Sequence, residues 1–176
     1  GPIGLNFAIR NPALIKKIVI LNSWLWSSND DPDFIRFSRI IKNPLLPFLY
    51  RYLNFSPRYI LPMSFGDHKL PKRLIKQYIR PFGNINQRNG VLAFAKSLLN
   101  DQDWFEELWN KRQAISAKPT LLIWGMKDIV IKPHHLTKFQ NGFTNTKTVQ
   151  LKTCGHFPQE EQPDIVAKSI GEFMLA

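Results

Sequence analysis

Two side chains with acid–base chemistry, Asp128 and His156, each follow a short apolar run that ends in a loop containing glycine. Residues 120–124 precede Gly-Met-Lys-Asp, and residues 148–151 precede Lys-Thr-Cys-Gly-His. A carboxylate that holds a histidine in one tautomer leaves the other ring nitrogen free to act as a base. The pair therefore predicts the acid and the base of a nucleophilic triad.

The elements around these residues predict a parallel sheet. A helix is predicted to start at Pro133, between the two runs, because proline is favoured in the first turn. Two strands joined through a helix form a parallel crossover, and chemistry in such sheets lies beyond the carboxyl ends of the strands. Residues 17–21 form a third apolar run, typical of a strand buried on both faces, after a helix predicted as buried at 2–11. We expect all three strands to end at one edge.

The rhythm of strand and helix stops between residues 27 and 112, where apolar residues recur at helical spacing. Helices are predicted around 34–41, 74–79, 91–98 and 103–109, with Asp103 as a cap, and an amphipathic helix from Glu160 to Met174. We interpret the chain as an α/β core, residues 1–26 and 113–176, carrying a helical insertion, residues 27–112. Insertions over an active edge commonly act as caps or lids.

Composition bounds the function. The chain has 176 residues, 44% of them apolar, which is enough for a core and a subdomain. The single cysteine excludes an internal disulfide, and its presence as a lone thiol favours a location in the cytoplasm. No apolar run approaches the length of roughly 18 to 20 residues that spans a bilayer. We therefore predict a cytoplasmic protein without a membrane span. The sequence leaves the oligomeric state open.

The net charge is +11, with eleven Lys and Arg against one acid between residues 36 and 88. Such a surface attracts nucleic acid, anionic lipid or acidic substrates. No nucleic-acid motif accompanies the charge, so a solvated basic face is favoured and no nucleic-acid partner is predicted.

The nucleophile of the predicted triad is not evident. No Gly-x-Ser-x-Gly elbow is present, and Cys154 lies too close to His156 on a tight loop to be well aimed at it. His68 and the pair His134-His135 lack metal-ligand spacing, so neither a metal nor a cofactor is predicted. A helix is predicted to begin abruptly at Gly1. In a nucleophile elbow, the tight turn that carries the nucleophile is followed directly by such a helix. We therefore expect the nucleophile just before residue 1, in a longer parent protein.

Six short motifs are spread along nearly the whole chain: Gly1-Pro2-Ile3-Gly4-Leu5, Ile20-Leu21-Asn22-Ser23-Trp24, Asn54-Phe55-Ser56-Pro57, Gly66-Asp67, Trp124-Gly125-Met126-Lys127-Asp128 and Gly155-His156-Phe157-Pro158-Gln159-Glu160-Glu161. Together they resemble the carboxyl-terminal part of an α/β-hydrolase of the haloalkane dehalogenase family. The resemblance implies an α/β-hydrolase fold, with parallel strands, helices and a helical cap inserted between strands. It also implies that an aspartate displaces halide from carbon and that the resulting alkyl-enzyme ester is hydrolysed.

Carried onto this sequence, the resemblance implies that Asp128 is the acid and His156 the base that activates water. Another branch of the family places its acid after the strand that ends at Leu21, where this chain has Asn22, which carries no charge. Trp24, Trp26, Phe34 and Phe37 are candidates to line a pocket for a small apolar substrate, or else pack the cap.

Two kinds of alternative stay open. Within the same fold, the parent protein could be a β-lactone decarboxylase, an epoxide hydrolase or an esterase. It could also be a non-enzymatic protein that uses its basic surface to bind an anionic partner. The chain of 176 residues alone is expected to be inactive, because the strand that carries the nucleophile would pair beside residues 17–21 and is not among its strands. The same absence leaves an apolar strand edge unpaired and Ile3 and Phe7 without cover, so the chain is expected either to aggregate or to be only marginally folded.

Overall fold

The computed structural model describes residues 1–176. The strands are β1 (Ile18–Leu21), β2 (Thr120–Gly125) and β3 (Thr146–Leu151). The α-helices are α1 (Pro2–Arg10), α2 (Pro32–Ile41), α3 (Leu46–Leu53), α4 (Leu61–Met63), α5 (Lys72–Ile79), α6 (Ile85–Asn100), α7 (Gln102–Lys111), α8 (Pro133–Gly142), α9 (Pro158–Glu161) and α10 (Pro163–Leu175). Single turns of 3₁₀-helix cover Pro12–Leu14, Arg80–Phe82 and Arg112–Ala114, and a π-helical turn covers Ser56–Ile60.

The three strands form one parallel sheet in the order β1-β2-β3. Ile18 is opposite Thr120, and Thr120 is opposite Thr146. The parallel sheet and the crossover through α8 confirm the fold class predicted from the sequence. Strand β3 starts earlier than the predicted residue 148, because Thr146 pairs with Thr120 and the Thr120 N–H donates to the Asn145 carbonyl at 2.9 Å.

Strand β2 is buried along its whole length, as expected for a central strand covered on both faces. On one face, Leu121 and Ile123 share a core with Val166 and Phe173 of α10. On the other face, the Trp124 ring lies 6.1 Å, between centroids, from Phe139 of α8. Each such side chain contributes about 1.5–3 kcal/mol when fully buried, so these two layers hold the sheet between its helices.

The chain divides into two compact units. We call them the sheet unit (Gly1–Leu25, Ser64–Lys69 and Glu107–Ala176) and the helical unit (Trp26–Met63 and Leu70–Glu106). Residues 64–69 and 107–112 thus group with the sheet unit, and Trp26 groups with the helical unit. The bounds predicted from the sequence placed the two segments in the insertion and Trp26 in the core. The role of the helical unit as a cap stays a prediction.

The helical unit has its own core. Leu46 and Tyr50 of α3 pack with Leu92 and Ala95 of α6 and with Ile41 of α2. The periodicity of the sequence predicted α2, α5 and α6, but it did not reveal α3. Two prolines disguise that helix, one of which occupies its first turn, where proline is tolerated.

Helix α1 is buried on one face, through Leu5, Ala8 and Ile9, while Ile3 and Phe7 are exposed. Two local predictions were wrong. Asp103 does not cap α7, because the helix already begins at Gln102. The carboxyl-terminal segment is not one helix: it is divided at Gln162 and Pro163 into α9 and α10. A short apolar stretch shows that a helix exists but not how many of its faces find a partner.

No helix of the structure is both long and apolar enough to cross a membrane.

Candidate active site

Asp128 follows β2 in a short turn, and its side chain is fully buried. Its Oδ1 atom accepts hydrogen bonds from the backbone N–H groups of Val130, at 2.7 Å, and Ile131, at 2.9 Å. Its Oδ2 atom accepts one from Nδ2 of Asn22 at 2.8 Å. A buried carboxylate is tolerated when donors satisfy it, and hydrogen bonds to a charged acceptor are stronger than neutral ones. These donors satisfy both carboxylate oxygens and fix Asp128 in position.

His156 lies in the loop that follows β3. Its Nδ1 atom is 2.7 Å from Oδ2 of Asp128, and a quarter of its side chain is exposed, against none of the carboxylate. Because an ionised carboxylate only accepts hydrogen bonds, Nδ1 must carry the hydrogen. The Nε2 atom of the neutral ring is then a free acceptor, which is the state that a general base requires.

Asn22 joins the carboxyl ends of β1 and β2. Its Oδ1 atom accepts from the Gly125 N–H at 2.8 Å, and its Nδ2 atom donates to the Gly125 carbonyl at 3.2 Å as well as to Asp128. The backbone of Asn22 has a positive φ of 29°, a region that asparagine adopts more readily than most residues. The sequence indicated only that Asn22 is an uncharged residue at an alternative acid position. Its place directly after a buried strand was the available signal.

Glycines let the loops at this edge approach one another. A Cβ atom on Gly125 would overlap the carbonyl of Gly155, and one on Gly155 would overlap the carbonyl of Ser64. The Ser64 carbonyl accepts the His156 N–H at 2.7 Å. The glycines recognised in the two motifs therefore serve close backbone packing around the histidine.

Cys154 lies close in sequence to His156, but it belongs to the core shared with α10 and is fully buried. Burial, together with the negative charge of Glu161, raises the pKa of its thiol to about 11. At neutral pH the group is a neutral thiol, whereas a nucleophilic cysteine requires the thiolate.

The predicted substrate-contacting residues divide between the two units. Trp24 belongs to the sheet unit and is partly exposed, two residues beyond Asn22. Trp26 is buried in the helical unit, and Phe34 and Phe37 of α2 are half-buried there, with Phe37 packed against the helical core. The structure thus brings together Asp128 and His156, while contact between the four aromatic residues and a substrate stays a prediction.

The sheet and its edge define a class of protein. Parallel strands carry an acid after β2 and a histidine after β3, and the two side chains meet in a hydrogen bond. A family model described as the alpha/beta hydrolase fold matches residues 1–163. The chain therefore belongs to the α/β-hydrolase fold family.

Two curated relatives match nearly the whole length of this chain. The chain is 29% identical over 174 residues to haloalkane dehalogenase 2 of Mycobacterium tuberculosis, covering 98% of this chain and 60% of that protein. It is 28% identical over 180 residues to a cis-3-alkyl-4-alkyloxetan-2-one decarboxylase of Shewanella oneidensis, covering 99% of this chain and 57% of that protein. The chain thus spans about 60% of the length of the curated relatives that it matches.

Solved structures agree on the fold. The crystal structure of a haloalkane dehalogenase from Agrobacterium tumefaciens superposes with a TM-score of 0.81 at 22% identity, covering 99% of this chain and 62% of that chain. At this level of identity, the likeness concerns the fold alone.

Proposed function

We propose that the protein is a haloalkane dehalogenase-like hydrolase that cleaves a carbon–halogen bond of a small apolar substrate. In this proposal an aspartate of the enzyme displaces the halide and forms an alkyl ester, and His156 and Asp128 carry out the hydrolysis of that ester. The observation that supports the proposal most directly is the hydrogen bond of 2.7 Å between His156 Nδ1 and the buried Asp128 carboxylate. The similarity to curated dehalogenases supports the choice of substrate class.

The hydrolytic step needs a base and then an acid. Nε2 of His156 takes a proton from water while the water oxygen attacks the carbonyl carbon of the ester. The positive charge that forms on the imidazole ring is stabilised by Asp128, which remains ionised. The bond between the acyl carbon and the ester oxygen then breaks, His156 returns its proton to the leaving alkoxide, and the alcohol leaves. The carboxylic acid that remains on the enzyme releases the second proton of the attacking water to solvent, which restores the carboxylate.

Replacing the base tests the proposal. In the protein expressed from its complete gene, His156→Gln should stop turnover yet permit ester formation, because the base serves only the second half-reaction. Intact-mass spectrometry after exposure to a brominated alkane should show an alkyl adduct on the variant. His134→Gln, at an exposed histidine of α8, is the matched control and should turn over normally. Turnover by His156→Gln at close to the unmodified rate would overturn the assignment.

A second candidate function is β-lactone decarboxylation, because the Shewanella relative matches as much of the chain at nearly the same identity as the dehalogenases do. Halide release from 1,2-dibromoethane and CO2 release from a cis-3,4-dialkyl β-lactone separate the two activities. Failure of the purified protein to turn over either compound, or an epoxide or a simple ester, would favour the non-enzymatic alternative.

We also propose that the helical unit is the cap, and that Trp24, Trp26, Phe34 and Phe37 contact the substrate. Their aromatic rings suit an apolar ligand. Phe34→Ala should then raise KM several-fold while the rate of ester hydrolysis by His156 changes little. We also propose that the protein is located in the cytoplasm.

A further inference from the structure

Glu161, at the end of α9, is a buried carboxylate beside the loop of His156. Its Oε1 atom accepts the N–H of Gly155 at 2.6 Å, and its Oε2 atom accepts the N–H of Gly66 at 2.9 Å. Both oxygens therefore receive charge-assisted hydrogen bonds from backbone groups, which offset the cost of burying the charge.

The two glycines belong to the two segments that determine where His156 lies. Gly155 directly precedes the histidine in the chain. Gly66 lies two residues beyond Ser64, whose carbonyl accepts the N–H of His156 at 2.7 Å. The Glu161 carboxylate thus holds the backbone just before His156. It also holds the segment around Ser64, which accepts the backbone hydrogen bond of His156.

A further contact joins the same two segments, since the Asp67 N–H donates to the Thr153 carbonyl at 2.8 Å. The backbones are so close that a Cβ on Gly155 would overlap Ser64, and one on Gly66 would overlap Thr153. Close packing prevents the segments from moving together any further, and the Glu161 bonds prevent them from separating. The combination leaves the His156 loop little freedom.

We propose that Glu161 is a positioning residue for His156, acting through Gly155 and Gly66 without touching the substrate. The proposal rests on the proposed function of His156 as general base. A catalytic base must be held close to its productive geometry, and a displacement of about 1 Å lowers a rate by about a hundredfold. Glu161 supplies that constraint at the backbone, while Asp128 supplies it at the ring.

A carboxylate suits this position better than an amide. Both Glu161 oxygens accept, whereas a glutamine would present one oxygen and one NH2 group. The NH2 group would face a backbone N–H, so one hydrogen bond would be replaced by two opposed donors. Leaving a buried donor unsatisfied is more damaging than the loss of an average hydrogen bond. Glu161→Gln therefore preserves size but releases one of the two segments.

The test follows the hydrogen bond between His156 and Asp128 by NMR, in protein expressed from the complete gene. The Nδ1 proton of His156 should give a low-field resonance, assigned by its absence in His156→Gln. In Glu161→Gln this resonance should shift upfield or disappear at temperatures where the variant is still folded, and the single-turnover rate of ester hydrolysis should fall at least tenfold while the rate of ester formation changes less than threefold. Glu172→Gln, at an exposed glutamate of α10, is the matched control.

The outcomes separate the two proposals. A Glu161→Gln variant that melts at a lower temperature but keeps the resonance and the hydrolysis rate has lost only stability, which would overturn the positioning role. If the unmodified protein turns over none of the substrates, the proposed function fails, and the resonance alone decides the role of Glu161. Should Glu161→Gln fail to fold, Glu161→Asp serves instead: it keeps the charge but is too short to reach both glycines. It should weaken the resonance, and an unchanged resonance would overturn the proposal.

Discussion

At the scale of single residues, Asp128 is a buried carboxylate whose hydrogen-bond donors include no lysine and no arginine. Two backbone N–H groups, the Asn22 amide and the His156 ring all donate to it. These hydrogen bonds offset the cost of burying the carboxylate. The residue is therefore suited to orient a histidine and to stabilise its charged form.

We predict that Asp128→Asn lowers the hydrolytic rate by about 10³-fold or more. The new NH2 group would face Nδ1 of His156 and make it an acceptor, so that Nε2 carries the hydrogen and no longer acts as a base. Steady-state kinetics on the protein from the complete gene measures the loss, and thermal melting checks that the variant is folded. Adding Asn22→Asp should recover part of the rate, because that carboxylate would lie beside the same site.

A loss of less than about threefold in the single variant would show instead that Asp128 has a structural role, since charge and tautomer would then be irrelevant to the rate.

Cys154 gives a prediction for pH. Its folded-state pKa is raised to about 11 by burial and by the charge of Glu161, above an ordinary value near 9. The thiol is neutral in both states below about pH 9, so its contribution to stability is fully present there, and it is lost as pH rises towards 11, because the unfolded chain ionises first. The free energy of unfolding should therefore fall more steeply between pH 9 and 11 than in Cys154→Ala. Parallel curves for the two proteins would contradict this.

At the scale of elements, the site depends on how the ends of neighbouring strands are joined. The backbone pairing between β1 and β2 ends where Leu21 is opposite Ile123. Beyond that point the Asn22 side chain connects the two strands, because it hydrogen-bonds both the N–H and the carbonyl of Gly125. The same amide reaches Asp128. One side chain therefore connects the register of the sheet to the position of the acid.

We predict that Asn22→Ala destabilises the protein by about 1–3 kcal/mol, since it leaves the buried Gly125 N–H unsatisfied and removes a donor from Asp128. Urea unfolding monitored by circular dichroism measures the change. Asn29→Ala, at an exposed residue of the helical unit, is the control and should change stability by less than about 0.5 kcal/mol. Equal effects of the two substitutions would show that the bridge between the strands contributes nothing.

At the scale of the whole molecule, charge is the dominant feature. The net charge is +11, and Asp67 is the only acid between residues 34 and 100. Helix α5 alone exposes Lys72, Arg73 and Lys76. Charges of one sign repel one another at low ionic strength, and salt screens them.

We predict that thermal stability rises as NaCl is increased from low concentration to about 0.3 M, where the Debye length has fallen well below 10 Å, roughly its value at 0.1 M. A gain of about 1 kcal/mol would raise Tm by about 2–4 °C for a chain of this size. Melting curves of the triple variant Lys72→Gln, Arg73→Gln, Lys76→Gln should show a smaller rise. An equal or larger rise in the variant would exclude α5 as a source of the repulsion.

Much of the fold was encoded locally. Short apolar runs that end in glycine and a polar residue predicted β2 and β3, and Pro133 predicted the start of α8, because periodicity and turn residues act over a few neighbours. From these the parallel sheet followed, and with it the expectation that Asp128 and His156 share an edge. Only the tertiary structure shows that the two side chains are in contact, with Nδ1 of His156 2.7 Å from Oδ2 of Asp128.

Other features were decided only by tertiary structure. Asn22 and Asp128 are 106 positions apart, and Gly66 and Glu161 are 95 apart, so no local pattern relates them. Local sequence determines which elements form and which residues stand at their ends. Which distant side chains satisfy a buried carboxylate depends on sheet register and loop packing, which arise only when segments far apart in the chain come together.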